Sequence, residues 1–312
     1  MEQIGRGIAM YMGAIDIGGT SIKTAISDEY GTLSNRKSYP TEALKGGLHL
    51  MNKILMICQE MQAVENLQGI AISSAGHVDA VKGTIVYATD TIPGYTGMNV
   101  CEQVTERLKL PASIENDVNC TALGEQWLGA ARHMSDFLTV ALGTGIGGAL
   151  FMNGSLYRGA TFSGGEIGHM ILYPGGKVCT CSQAGCYERY ASSAALALLV
   201  SDKFGELELP AFFDLVREGD QVANSIFTIW IDDLTTGLGS LVQILNPSAI
   251  VIGGGISEQG SFLQEAIQTS LVAKLMPHHK ESLVLTLAEK GNDANLLGAV
   301  RHFLNNNPVH ND

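Results

Sequence analysis

The segment 164–188, GGEIGHMILYPGGKVCTCSQAGCYE, constrains the fold more than any other stretch of the chain. His169, Cys179, Cys181 and Cys186 make a full donor set for tetrahedral zinc. The Cys-x-Cys-x4-Cys run lies among glycines, so the backbone can fold tightly around an ion. The alternative is three reduced thiols in a glycine-rich loop, and clustered exposed thiols are a liability without a metal. Four protein ligands leave no position for water, so the expected Zn2+ is structural. Its task is to order a loop that has little core of its own. That loop would fix Glu166, His169 and Glu188. Glu166 and His169 lie three residues apart, the spacing of one face of a helical turn. Two carboxylates and an imidazole suit a polyhydroxylated ligand, because carboxylates accept strong hydrogen bonds from hydroxyls.

The rest of the chain must carry two ordinary domains, for which 312 residues and 46% hydrophobic composition suffice. The net charge is −12 and no basic run is present. Nucleic acid and anionic membranes are therefore poor partners. No uncharged apolar run reaches the roughly 18 residues of a membrane span, and 1–12 does not read as a signal peptide. Residues 1–9 read as a flexible leader, with Met10 and Met12 as alternative starts. Six cysteines, three of them clustered, fit a reducing, cytoplasmic setting rather than a disulfide scaffold.

Short apolar runs at 12–17 and 22–27 predict buried strands joined by a glycine turn, with a third strand over 32–39. The same strand–turn–strand pattern returns at 137–142 and 149–152, which reads as a weak internal duplication with one copy per domain. Further strands are expected at 69–73, 112–115, 249–252 and 283–287. Helical periodicity marks 47–62, 100–108, 222–245, 260–275 and 292–304, and a helix from 118 or 119 to about 128 follows Asn116-Asp117.

The turn at Asp16-x-Gly18-Gly19-Thr20 outlines a phosphate-handling loop: glycines let backbone amides approach an anion, and Thr20 adds a hydroxyl. Asp16 would repel phosphate, so its sensible role is toward Mg2+ through water. An ordinary hairpin turn is the alternative. Residues 143–148, GTGIGG, match the literal GxGxxG string, but a strand rather than a helix follows, which rules out a dinucleotide fingerprint. Thr144, Gly145, Gly147 and Gly148 read instead as a second amide cradle. A third glycine cluster at 253–255 would let an adenine or ribose approach Gly254 and Gly255, or else is a tight strand-to-helix turn. Asp117, at the carboxyl end of a strand, is a candidate general base. It could equally cap the helix that follows it.

Taken in order, DIGGT (16–20), ENDVN (115–119), LGTGIGG (142–148), GGEIGH (164–169), CTCSQAGCYE (179–188), VIGGG (251–255) and GNDANLLGA (291–299) resemble the ROK family, which contains sugar kinases and sugar-responsive repressors. The resemblance implies an α/β, actin-like (ribonuclease H-like) ATPase fold, with two α/β domains flanking a cleft. The first domain would take 1–117 and 292–312. The second would take 118–291 with a zinc loop over 169–186. It implies Asp117 as catalytic base, Asn116, Glu166, His169 and Glu188 as sugar contacts, and His169, Cys179, Cys181 and Cys186 as zinc ligands. The turns at 16–20 and 143–148 would bind the phosphates of ATP. The activity implied is transfer of the γ-phosphate of ATP to the 6-hydroxyl of glucose or an N-acetylmannosamine-type sugar, in a homodimer. A β-glucoside kinase or a regulator that does not bind DNA are the alternatives; only fifteen residues precede Asp16, too few for a DNA-binding domain. Ala75-Gly76 stands where family kinases often have Pro-Gly. The stretch from Asp90 to Tyr95 departs from their Asn-Leu-x-Gly-Trp. Both departures bear on which sugar is accepted.

Overall fold

The computed structural model describes residues 10–88 and 91–307. The expected leader at 1–9 and Asp90 lie outside the described residues. The chain forms two compact units.

In the first unit, β1 (Tyr11–Ile17), β2 (Ser21–Asp28), β3 (Leu33–Pro40), β4 (Leu67–Ser74) and β7 (Ala112–Asn116) form one sheet. Two short strands, β5 (His77–Asp79) and β6 (Thr84–Tyr87), pair as a separate hairpin. The sheet order is β3-β2-β1-β4-β7. Strands β1 to β3 are antiparallel neighbours, while β4 and β7 extend the sheet in parallel. Central β1 is buried on both faces, which is why it reads as an apolar run rather than an alternating one. Ile15 and Ile17 belong to a cluster with the helices Gly47–Val64 and Val100–Leu108. Met12 and Ala14 point the other way, into a cluster with Leu296, Val300 and Phe303 of the C-terminal helix Ala294–Asn306. The strand period of two puts Asp16 on that same second face.

The second unit repeats the scheme with β8 (Phe137–Leu142), β9 (Ile146–Met152), β10 (Ser155–Tyr157), β11 (Ala249–Gly253) and β12 (Val284–Leu287). Its order is β10-β9-β8-β11-β12, again an antiparallel hairpin extended by two parallel strands. The expected duplication is thus expressed as the same strand order twice. The long helix Gln221–Leu245 buries Ile226, Trp230, Leu234, Leu238 and Leu241 of the apolar stripe its periodicity predicts, while Ile229, expected on that stripe, is exposed.

The boundary between units falls after His133, not after residue 117. The helix Asp117–Leu128 belongs to the first unit because it packs against the C-terminal helix. Gly298 makes the approach possible, since a Cβ there would collide with the Cys120 carbonyl. Arg158–Gly164 also joins the first unit. Arg158 Nε donates to Oε2 of the buried Glu115 at 2.6 Å. No helix among the described residues is long and apolar enough to cross a membrane. All six cysteines are unpaired.

Candidate active site and metal centre

In the first unit, the carboxyl ends of β1, β4 and β7 bring together two carboxylates. Asp16, one residue before the end of β1, lies on the face covered by the C-terminal helix, and parallel pairing sets Ser73 beside it. Ser73 Oγ donates to Asp16 Oδ1 at 2.8 Å, and Asn295 Nδ2 donates to the same oxygen at 3.1 Å. Burial nevertheless pushes the Asp16 carboxyl above its ordinary pKa. The exposed Gly19 and Thr20 form the turn that follows. Thr41 clamps that turn: its hydroxyl donates to the Gly18 carbonyl at 2.6 Å, and its N–H donates to the Thr20 carbonyl. Gly18, Gly19 and Thr20 therefore sit in a fixed β1–β2 connection.

Asp117 opens the helix Asp117–Leu128 as its first residue, but it is not the cap. Asn116 is: it keeps extended backbone, and its Oδ1 accepts from the Val118 and Asn119 N–H groups at 2.9 and 3.1 Å. Asn116 Nδ2 donates to the Gly76 carbonyl and to Asp117 Oδ1, both at 3.0 Å. Two acceptor and two donor positions are thus all used, and the amide holds Asp117 rather than offering a free group. Asp117 is half-buried. Desolvation first, and the charge of Asp16 second, push its carboxyl up to about 6. Asn116→Ala is expected to lower stability by about 1 kcal/mol, read as a fall in urea midpoint at unchanged slope. Asn116→Ser, which can still cap, should recover most of it. An unmoved midpoint in the alanine variant would remove the cap assignment.

In the second unit, His169, Cys179, Cys181 and Cys186 place one donor atom each within 4.8 Å of one another. Cys181 Sγ and Cys186 Sγ are 3.5 Å apart, and Cys179 Sγ lies 3.7 Å from His169 Nδ1. Tetrahedral zinc with Zn–S of about 2.3 Å needs edges of roughly 3.8 Å, so the donor set fits the ion. The loop carrying it has more core than its composition implies. Tyr187 is fully buried and donates to the Leu234 carbonyl, and Tyr173 Oη donates to Asp233 Oδ1.

His169 turns Nδ1 toward Cys179 and Nε2 toward Glu166, whose Oε2 lies 3.9 Å away. Glu188 Oε1 lies 3.9 Å from His169 Nδ1 and 3.1 Å from Cys179 Sγ. Glu166, His169 and Glu188 therefore gather around the cysteine cluster. Glu188 also reaches the β8–β9 turn, since a Cβ at Gly145 would strike its carboxylate. In that turn Gly143 and Thr144 are exposed, and the Gly143 N–H closes on the Gly145 carbonyl at 3.0 Å. Gly147 and Gly148 lie in β9 itself. Gly254 backs onto the Leu142 carbonyl, which puts the third glycine cluster beside the second; Gly254 and Gly255 are exposed.

Sequence reasoning missed Thr41, Ser73 and Asn295. Asn295 lies within the 291–299 motif, which was the available signal. Tyr95, the last residue of the departing stretch 90–95, is a core residue whose hydroxyl meets Ser74 Oγ at 3.0 Å.

A nucleotide-type fold of two like sheets, with carboxylates at one set of strand ends and a Cys3His cluster in the other unit, defines the class. The chain belongs to the ROK family, whose family model matches residues 12–305. It is similar to a beta-glucoside kinase of Listeria monocytogenes, 31% identical over 95% of this chain and 98% of that one. It is similar to a glucokinase of Halalkalibacterium halodurans, 30% identical over 92% and 93% of the two chains. Among solved structures, a ROK family glucokinase from Streptomyces griseus in complex with glucose and AMPPNP aligns with a TM-score of 0.78 and 28% identity. That alignment covers 94% of this chain and 98% of the other.

Proposed function

We propose that this protein is an ATP-dependent sugar kinase that phosphorylates the 6-hydroxyl of a hexose, glucose or an N-acetylmannosamine-type sugar. The observation that carries the reading is Asp117 in a ROK chain: a half-buried carboxylate relieved of capping by Asn116 and raised to about 6. A base with a pKa just below neutrality is largely deprotonated at pH 7 yet still accepts a proton readily. Asp117 would take the proton of the 6-hydroxyl as that oxygen bonds to the γ-phosphorus, while the bond to the β-phosphate oxygen breaks and ADP leaves. Glu166, His169 and Glu188 would accept hydrogen bonds from sugar hydroxyls or orient them. The amides and hydroxyls of Gly18, Gly19, Thr20, Thr144, Gly145, Gly147 and Gly148 would cradle the phosphates of ATP, and Gly254 and Gly255 would pass its nucleoside.

Asp16, with Oδ1 held by Ser73 and Asn295, keeps Oδ2 for a water of Mg2+, an ion that neutralises phosphate charge. Zn2+ on the Cys3His set would be structural. We place the protein in the cytoplasm, where six unpaired cysteines persist. A homodimer is proposed on the family resemblance alone, and a sedimentation mass of one chain rejects it.

A sugar panel read by coupled ADP release tests the reaction. Glucose, N-acetylmannosamine or both should stimulate release. 6-Deoxyglucose, which lacks the acceptor, should leave it at the sugar-free rate. Equal release with glucose and 6-deoxyglucose rejects the assignment. A β-glucoside such as cellobiose belongs in the panel because a relative 31% identical to this chain is a beta-glucoside kinase. Preference for cellobiose over glucose would select that reading.

A further inference from the structure

A recess of about 370 Å³ lies in the first unit, at the amino end of β7. Ser113, which lines it, is four residues before Asp117, so the recess is roughly 13 Å along the strand from the carboxylates described above. That volume falls in the range of small-molecule sites. Lys82, Ser113, Arg158, His302 and Asn306 contribute to its lining.

Donors of Ser113, Arg158 and Lys82 in the lining have little internal use, whereas the Asn306 amide already meets the His302 ring at 3.2 Å. Ser113 is 6% exposed, and its hydroxyl has no hydrogen-bond partner among the described residues. A hydroxyl buried without a partner is a standing cost to the fold. Arg158 binds Glu115 through Nε alone, leaving Nη1 and Nη2 as a planar pair of donor groups. Lys82 Nζ stands 3.8 Å from Asp79 Oδ2, a loose and exposed pairing. Glu115, the buried carboxylate behind the recess, is already satisfied on both oxygens. Oε1 accepts from the Asn116 N–H and from Asn119 Nδ2, and Oε2 accepts from Arg158. It therefore presents a compensated charge rather than an open acceptor.

A guanidinium edge and an ammonium, with a serine and an asparagine beside them, line one recess and match a tetrahedral oxyanion. We propose that this recess binds phosphate, free or as the head of a small phosphate ester, at a site separate from the reaction. The site draws only on residues of the first unit, and it stands whether or not the sugar-kinase reading does.

Equilibrium dialysis of labelled inorganic phosphate against the full chain tests it. A non-hydrolysable ATP analogue, magnesium and glucose are kept saturating so that phosphate positions of the reaction are filled. One phosphate per chain is expected, with Kd on the order of 1 mM or tighter. Lys82→Gln combined with Ser113→Val should weaken binding about tenfold or more, and Asp117→Asn should leave it unchanged. Asn306→Leu, at an exposed helix end, provides a second variant should the first misfold. Labelled glycerol 3-phosphate in place of phosphate distinguishes an ester from the free ion. No phosphate bound by the wild type overturns the proposal, as does binding of equal strength in the wild type and both recess variants.

Discussion

Asp117→Asn is expected to reduce turnover by roughly 10²–10⁴-fold, the usual contribution of a positioned general base. Asparagine keeps the shape and the hydrogen bond from the Val118 N–H, which Asp117 Oδ1 accepts at 2.9 Å. It cannot take a proton. Because Asn116 supplies the cap, the helix should form normally in the variant. In the wild type, kcat/KM should fall about tenfold per pH unit below about 6, where Asp117 becomes protonated. Stability carries the opposite sign. A carboxyl whose folded pKa is raised favours the folded state below its unfolded pKa. That contribution is lost as pH rises through about 6. At pH 7 the wild type therefore bears the cost of a crowded charge, and Asp117→Asn should melt at an equal or higher temperature. Wild-type turnover in a folded Asp117→Asn protein would leave the chain without a base.

Loss of the metal should have the next largest effect. About one zinc per chain is expected by elemental analysis, and Cys181→Ser should lower it. Glu188 reaches both the Cys179 thiol and His169, and Glu166 reaches His169 from the other side. Removing the ion frees all three. Hydrogen bonds to charged groups contribute about 1.5–3 kcal/mol each, so displacing both carboxylates should raise the KM for sugar roughly 10²-fold or more. The KM for ATP should move much less. The fold should persist, because Tyr187 and Tyr173 anchor the loop to the helix Gln221–Leu245 without the metal. Full sugar affinity in a zinc-free protein would separate the metal from sugar binding altogether.

What could be read from the sequence depended on how locally the information was written. The four members of the Cys3His cluster fall within eighteen residues, and their donor types alone match a tetrahedral metal site. The strands around each glycine turn are short apolar runs, legible because both faces are buried. Asp117 was ambiguous between base and cap. Neighbouring polar residues at a strand end can each fill the cap, and only the extended backbone of Asn116 decides between them. Asn116 itself, expected among the sugar contacts, spends its amide on the helix start, Gly76 and Asp117. Ser73 and Asn295 were invisible as partners of Asp16 because they are 57 and 279 residues from it. The grouping of the helix Asp117–Leu128 with the first unit was hidden for the same reason: its packing partner, the C-terminal helix, is remote in sequence.

That remoteness matters for how the protein is made. The ribosome delivers the first unit's sheet early, yet the helix covering one face of it is made only after the whole of the second unit. A message truncated after codon 291 would still encode every residue of the second unit, including the cysteine cluster. Its product would lack Asn295 beside Asp16 and leave Met12, Ala14 and Ala71 without Leu296, Val300 and Phe303. The half of the enzyme begun first is completed only after the other half, and its carboxylates acquire their setting only then.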